Sequence, residues 1–195
     1  MAFASRKLWL GLCVSLFVTA ALCIALLAGD VYLHHRHEMN AGLNIWGYRG
    51  PVLDTKQDGE RRIAVVGGST AFGYGVAWPE AIPALLEQKL NEVEPDGTTY
   101  TAVNLAYNSE GAYAFKYTLR DYAYLDYDLA ILYTGYNDLN TGRRDGNRQV
   151  FRHESPVFTL TGYMPIFPVI FSEKAMMFRY GGDLEAAYEG EKTVF

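Results

Sequence analysis

An uncharged apolar block near the N-terminus places the strongest constraint on this chain. Residues 8–28 form 21 consecutive positions without a charge, rich in Leu, Ala, Val and Phe. A helix of that length rises about 30 Å, which matches the hydrocarbon thickness of a bilayer. A cleavable signal peptide is the alternative, but its apolar stretch usually runs about 7–15 residues. The block therefore favours an uncleaved transmembrane anchor at residues 1–29.

The residues that flank the block predict which side of the membrane the rest of the chain occupies. Arg6 and Lys7 precede the block, whereas Asp30 and a histidine-rich stretch follow it. Because positively charged flanks stay in the cytoplasm, we expect a cytoplasmic N-terminus and a periplasmic or extracellular C-terminal domain. Both cysteines, Cys13 and Cys23, lie inside the block. The part after residue 30 therefore has neither a disulfide nor a cysteine nucleophile.

The chain beyond the block is acidic. None of the 22 acidic residues and only two of the 17 basic residues precede position 30, which leaves 15 basic and 22 acidic residues and a net charge of −7. A domain of that charge without a basic stripe is unsuited to the phosphate backbone of DNA or RNA. Nucleic acid is therefore excluded as a partner.

Three short apolar runs predict a parallel β-sheet. They occupy residues 63–67, 100–105 and 129–134, and the first and third are apolar on both faces, as buried parallel strands are. Helical patterns lie between the runs, the first after Pro79 and the second over residues 111–125. Alternation of strands and helices is typical of βαβ units. We expect an α/β domain with strand order 2-1-3.

The predicted boundaries divide the chain into three parts. The anchor at residues 1–29 is followed by a stalk and a turn-rich connecting loop at residues 30–60. The α/β domain then occupies residues 61–195.

Candidate functional residues follow each predicted strand. Gly67, Gly68 and Ser69 come directly after the first strand, Gly111 opens the second helix, and Asn137 follows the third strand. The two glycines permit a tight turn that exposes the Ser69 hydroxyl, and the N–H groups of a helix that begins there favour an oxyanion. An asparagine amide is a neutral donor suited to the same oxyanion. Because ligands bind at the carboxyl edge of parallel sheets, we expect these loops to form one site.

Other glycine-rich motifs fit the first loop less well. A phosphate-binding P-loop requires lysine at the position of Tyr74, and a dinucleotide fingerprint requires glycine at the position of Trp78. The α/β-hydrolase elbow, Gly-x-Ser-x-Gly, is nearly met at residues 67–71, but its serine normally follows several earlier strands. Two plain alternatives stay open: Ser69 as a helix N-cap and an Asx turn at Asn137.

Taken together, the three loops resemble the first three sequence blocks of the SGNH hydrolases, also called the GDSL family. The resemblance covers residues 62–140. It assigns Ser69 as the nucleophile, Gly111 as a backbone oxyanion donor and Asn137 as a side-chain oxyanion donor. Gly68 stands where the family often has aspartate. The fold that the resemblance implies is a three-layer, flavodoxin-like parallel α/β sheet, here incomplete at its C-terminus and preceded by one transmembrane helix.

The activity that the resemblance implies is hydrolysis of carboxylic esters outside the cytoplasm. The substrate would be a small molecule or a glycan or lipid ester, and no metal or organic cofactor is implied. One alternative is a cell-surface glycan O-acyltransferase or deacetylase, which differs only in the acceptor. Another is a non-catalytic SGNH-like binding module.

One block of the family pattern is missing. The family carries an Asp-x-x-His near its C-terminus, which supplies the general base and its orienting acid. His153 is the sole histidine beyond the stalk, and Val150 stands three residues before it. We therefore expect His153 to be a loop histidine, and the sequence to stop inside the domain and to lack full activity.

Two further segments follow the third block. Arg143, Arg144, Arg148 and Arg152 form a basic stretch, for which a solvated surface is expected and contact with an anionic substrate or lipid headgroup is the alternative. Residues 157–171 are strongly apolar but short and contain two prolines, so they are unsuited to span a bilayer. They are expected to pack on the rest of the domain or to form a lid or membrane-surface loop.

Overall fold

The computed structural model describes residues 2–40, 42–93, 97–108, 110–139 and 151–182. Its strands are β1 (Glu60–Gly67), β2 (Thr99–Asn104) and β3 (Leu129–Tyr133). Its helices are α1 (Ala2–His37), α2 (Ser69–Phe72), α3 (Ile82–Val93), α4 (Ala112–Asp121), α5 (Phe151–Glu154), α6 (Pro156–Thr161) and α7 (Phe167–Arg179). Short 3-10 turns lie at Trp78–Glu80, Ala123–Leu125 and Tyr136–Asp138.

The strands form one parallel sheet in the order β2-β1-β3. Val65 in the central strand lies opposite Asn104 in β2 and Ile131 in β3. This arrangement confirms the predicted α/β class, the parallel pairing and the strand order. It also brings the three loops that follow the strands to one edge of the sheet.

Helices cover both faces of the sheet because successive side chains of β1 point in opposite directions. Ala64 and Val66 face a core cluster that includes Phe115 of α4. Ile63 and Val65 face a second cluster, against which Leu86 and Leu90 of α3 pack. The apolar residues whose helical spacing predicted α3 and α4 are therefore the ones that pack against the sheet.

The third strand is more exposed than its sequence predicts. Leu129, Leu132 and Tyr133 are 54, 56 and 49% exposed. We expected β3 to be buried on both faces, and this prediction is wrong for the part of the chain that the structure describes. The reason is position: β3 pairs with β1 on one side only and forms an edge of the described sheet.

The loop that leads into the domain belongs to its core. Tyr48 and Arg49 are each 1% exposed, and the Arg49 amide donates to the Asn104 carbonyl at the end of β2. The Arg49 guanidinium donates to the carbonyl oxygens of Phe72 and Gly73, at the C-terminal end of α2. Residues within the predicted stalk therefore help to hold the loop that carries Ser69.

Charged side chains hold the N-terminal ends of the strands, at the end of the sheet opposite the loops that follow them. Arg62 pairs with Glu60 at 2.6 Å, and Lys56 pairs with Asp128 at 2.9 Å. Burial raises the pKa of Glu60, but hydrogen bonds from Arg62 and the Gln57 amide outweigh it and lower that pKa to about 2. Hydrogen bonds from Lys56 and the Arg62 amide likewise lower the pKa of Asp128 to about 2.

These two carboxylates should make the fold acid-sensitive. Because their folded-state pKa values are depressed, they stabilise the fold above the ordinary values of 4.5 and 3.8, and this stabilisation is lost as the pH falls towards about 2. Glu60→Gln should lower the melting temperature of the detergent-solubilised protein at pH 7. The difference from the unsubstituted protein should shrink as the pH falls, since protonated Glu60 resembles glutamine. A difference that stays constant down to pH of about 2 would contradict this assignment.

Candidate functional site

Ser69 lies at the first position of a short helix at the carboxyl edge of the central strand. The N-cap of α2 is Gly68, whose backbone is extended, and the Phe72 amide donates to the Gly68 carbonyl. The plain alternative of Ser69 as the N-cap is therefore wrong. Ser69 is half-buried, and no hydrogen bond to its hydroxyl is made among the residues that the structure describes.

The Asn137 side chain reaches the residue that precedes Ser69. A Cβ placed on Gly68 would stand 2.2 Å from Asn137 Nδ2 and 3.1 Å from the Glu110 carbonyl oxygen. Asn137 Nδ2 donates to that same carbonyl at 2.7 Å. The loops after β1, β2 and β3 therefore meet at Gly68.

One hydrogen of the Asn137 amide is held by Glu110, and this has a chemical consequence. An asparagine NH₂ group carries two hydrogens. The hydrogen bound to the Glu110 carbonyl holds the amide against Gly68, the residue that precedes Ser69. A neutral donor held against the loop that carries a serine is suited to stabilise an oxyanion.

Asp138 joins the third loop to the start of α4. Its Oδ1 accepts from the Ala112 amide at 2.8 Å, and a Cβ on Gly111 would stand 2.6 Å from the same oxygen. Glycine is therefore the residue that lets the third loop approach this closely. The hydrogen bond from the Thr134 hydroxyl, supported by the Ala112 and Gly135 amides, lowers the pKa of Asp138. The group that accepts from the first amide of α4 is therefore a carboxylate.

Tyr113 is a residue of this edge that sequence reasoning missed. Its ring carbon Cε1 would stand 3.2 Å from a Cβ on Gly111. Burial raises the pKa of Tyr113, and so does the negative charge of Glu110. The Tyr113 ring thus lies beside the residue whose amide the sequence assigned to an oxyanion. The spacing of two residues after Gly111 is a signal that could have indicated it.

A buried ion pair lies beneath the site. Arg152 and Glu110 are 3% and 2% exposed, and Arg152 Nη2 lies 2.9 Å from Glu110 Oε1. The expectation of a solvated Arg152 is therefore wrong; Arg143, Arg144 and Arg148 lie outside the described residues. Burial raises the pKa of Glu110 against the opposing charge of Arg152, and the Glu110 charge raises the pKa of Arg152 despite its burial.

His153 lies away from Ser69. Its Nδ1 is 2.9 Å from Asp121 Oδ2, and its ring stacks on Tyr117 with centroids 4.7 Å apart. Asp121 ends α4, which begins directly after Gly111, and ten residues of helix span about 15 Å. This places His153 far along α4 from the candidate site. His153 lies in α5, so the prediction that it is a loop residue is wrong. Among the described residues, no histidine hydrogen-bonds to Ser69.

A cavity of about 430 Å³ lies at the N-terminal ends of the strands. Lys56, Glu60, Arg61, Asp126 and Asp128 are among its lining residues. These charges pair with one another, as in the contact of Arg61 with Asp128 at 3.0 Å. The cavity is therefore separate from the Ser69 edge and belongs to the charged network that holds the starts of the strands.

Comparisons with known proteins give no relative. No protein-family model matches the chain, and the searches of curated proteins and of solved structures return no significant match.

Proposed function

We propose that this chain belongs to a membrane-anchored serine ester hydrolase of the SGNH type. The observation that carries the proposal is the position of Asn137 Nδ2, held by the Glu110 carbonyl directly against Gly68. A neutral donor against the residue that precedes Ser69, at the carboxyl edge of a parallel sheet, supports an oxyanion role for Asn137. The strand order and the helices on both faces also agree with the three-layer, flavodoxin-like fold of that family.

The proposed chemistry uses the three loops together. The Ser69 hydroxyl attacks the acyl carbon of a carboxylic ester, and the carbonyl oxygen becomes an oxyanion. The Asn137 amide and the backbone amides of Ser69 and Gly111 would hold that oxyanion. The proton of Ser69 requires a base, which the family takes from its fourth sequence block.

The proposed location is the outer face of a membrane. The structure contains one N-terminal helix, Trp9–His37, that is long and apolar enough to cross a bilayer, and its side chains are exposed along residues 9–27. A helix of this kind near the N-terminus is also compatible with a signal sequence. The positive flank at Arg6 and Lys7 favours a cytoplasmic N-terminus, which places Ser69 in the periplasm or outside the cell.

Labelling with a charged, membrane-impermeant fluorophosphonate tests activity and location together. The protein, expressed from its complete natural gene, should be labelled at Ser69 in intact spheroplasts, because the reagent reacts with an activated serine. Ser69→Ala should abolish the labelling, whereas Thr70→Ala, a matched loss of the neighbouring hydroxyl, should leave it intact. The modified residue is identified by peptide mass spectrometry.

Each failure of the labelling experiment has a separate meaning. Labelling of Ser69 only after the spheroplasts are lysed would support the esterase activity but would mean that Ser69 lies on the cytoplasmic side of the membrane. Absence of labelling in the folded, complete protein would favour a non-catalytic binding module. The 195-residue chain alone should react slowly, since an unassisted serine hydroxyl is a weak nucleophile at neutral pH. Rapid labelling of that chain would mean that it already contains a base.

A further inference from the structure

One face of α7 carries an aromatic stripe that the described protein leaves in contact with solvent. Phe167, Phe171 and Phe178 are 40, 70 and 92% exposed. At 3.6 residues per turn, these three positions fall within about 40° of one another around the helix axis. Ile170 and Met177, on a neighbouring face, are half-buried. Aligned, exposed phenylalanines of this kind mark a surface that contacts another apolar phase.

The start of α7 is fixed to the end of the anchor helix. The Phe167 amide donates to Asp30 Oδ1 at 2.5 Å, and the Tyr163 hydroxyl donates to the same carboxylate. The ring of His34, one turn further along α1, contacts the Met164 carbonyl through Nε2 at 2.8 Å. Asp30 and His34 are buried by these contacts, at 4% and 0% exposed. The first turn of α7 therefore has a defined position on α1.

That position is the boundary of the apolar block. Asp30 is the first charged residue after the uncharged residues 8–28. A charged residue at the end of a transmembrane stretch lies at the level of the lipid headgroups. The attachment to Asp30 therefore brings the start of α7 to the same level. Because its 13 residues rise only about 20 Å, α7 is too short to cross the membrane itself.

The two basic residues among the three charged residues of α7 also suit a lipid surface. Lys174 lies close in angle to the three phenylalanines, and Arg179 lies in the last turn; both are exposed. A long lysine or arginine side chain can keep its stem among apolar groups while its charge reaches a phosphate. Phenylalanines on one face with cations beside them are typical of helices that lie in a membrane interface.

We propose that α7 is an interfacial helix that lies on the outer surface of a phospholipid bilayer beside α1. Phe167, Phe171 and Phe178 insert at the boundary between headgroups and acyl chains, and Lys174 and Arg179 contact lipid phosphates. The proposal rests on the proposed membrane anchoring through α1. It goes beyond that anchoring because it gives the domain a second lipid contact, which would fix its orientation on the membrane surface.

Site-specific fluorescence in vesicles tests the proposal on the full chain. The two native cysteines, Cys13 and Cys23, are replaced by serine, and a single cysteine at Phe171→Cys is labelled with the environment-sensitive dye NBD. Vesicles contain phosphatidylcholine and phosphatidylglycerol. The dye at position 171 should show blue-shifted emission, strong quenching by shallow spin-labelled lipid and several-fold weaker quenching by aqueous iodide than an exposed reference position.

Two reference positions make the result interpretable. Val93→Cys at the end of α3, where the side chain is 73% exposed, should report water. Leu16→Cys in the middle of the apolar block should report quenching by deep spin-labelled lipid. If the dye at position 16 is not quenched by lipid, the anchoring fails, independently of α7. If position 16 is lipid-quenched but position 171 is as accessible to iodide as position 93, the proposal for α7 is wrong.

A third outcome identifies a protein partner for the stripe. Blue-shifted emission at position 171 without quenching by either lipid would mean that polypeptide covers α7, which also overturns the proposal. A second variant tests the role of the stripe itself. A dye at Lys174→Cys should become several-fold more accessible to iodide when Phe171→Ser and Phe178→Ser are added. Unchanged accessibility would show that the phenylalanines do not hold α7 at the membrane.

Discussion

Replacement of Asn137 by alanine is expected to lower kcat on a short-chain aryl ester by about two to three orders of magnitude, or about 2.7–4 kcal/mol of transition-state stabilisation. The protein is expressed from its complete natural gene for this measurement. KM should change little, because the amide meets a charge that develops only in the transition state. Asn137 Nδ2 is already oriented by its 2.7 Å hydrogen bond to Glu110, so the loss removes a fixed donor.

Two variants separate this effect from a general disturbance. Asn91→Ala removes an exposed asparagine that bonds to Tyr100 at the far end of the sheet, and it should leave kcat within a few-fold. Gly68→Ala keeps Asn137 but places a Cβ 2.2 Å from its Nδ2, so the amide must move and kcat should fall. If Asn137→Ala retains the kcat of Asn91→Ala, Asn137 is not an oxyanion donor.

The sheet and the edge that carries the candidate site could be predicted because their signals are local. A run of apolar residues followed by glycine and a polar residue marks both the strand and the loop after it, as in β1 and Ser69. Parallel pairing then places every such loop at one edge, whatever its distance along the chain. The strand order brought Ser69 and Asn137 together in the prediction, and the contact of Asn137 with Gly68 agrees with it.

The buried arginines could not be predicted, and the reason is the nature of their partners. Arg49 binds the carbonyl oxygens of Phe72 and Gly73, and Arg152 binds those of Gly47 and Leu105. Every residue has a carbonyl oxygen, so an acceptor of this kind leaves no mark in the sequence. Arg152 was predicted to be solvated because it lies at the end of an arginine-rich stretch, and such stretches are typical of a solvated surface.

The exposure of β3 was mispredicted for a different reason. Apolar residues on both faces indicate the surroundings that a strand is suited to, whereas exposure depends on which elements lie against it. Leu132 and Tyr133 have the character of buried residues but lie in a strand that is paired on one side in the described structure. Composition therefore predicted the strand correctly and its burial incorrectly.

Substitution of Arg152 by methionine is expected to lower the free energy of unfolding by about 3–5 kcal/mol, because it leaves the Glu110 carboxylate buried without its counter-charge. Arg152 also donates to the Gly47 carbonyl at 3.1 Å and the Leu105 carbonyl at 2.9 Å, and both would lose a donor. Leu105 and Glu110 lie in the loop after β2 and Gly47 lies in the segment that follows α1, so one side chain ties these two segments together. Urea unfolding of the detergent-solubilised full chain measures the change.

The control for this prediction is Arg120→Met, which removes an arginine whose side chain is 60% exposed in its pair with Asp121. It should cost less than about 1 kcal/mol, since water screens exposed ion pairs. Adding Glu110→Gln to Arg152→Met removes the unpaired charge and should restore part of the loss, but not the part that belongs to the two carbonyls. If Arg152→Met and Arg120→Met cost the same, Arg152 is solvated in solution. If the double substitution restores nothing, the loss comes from the carbonyl contacts rather than from the buried charge.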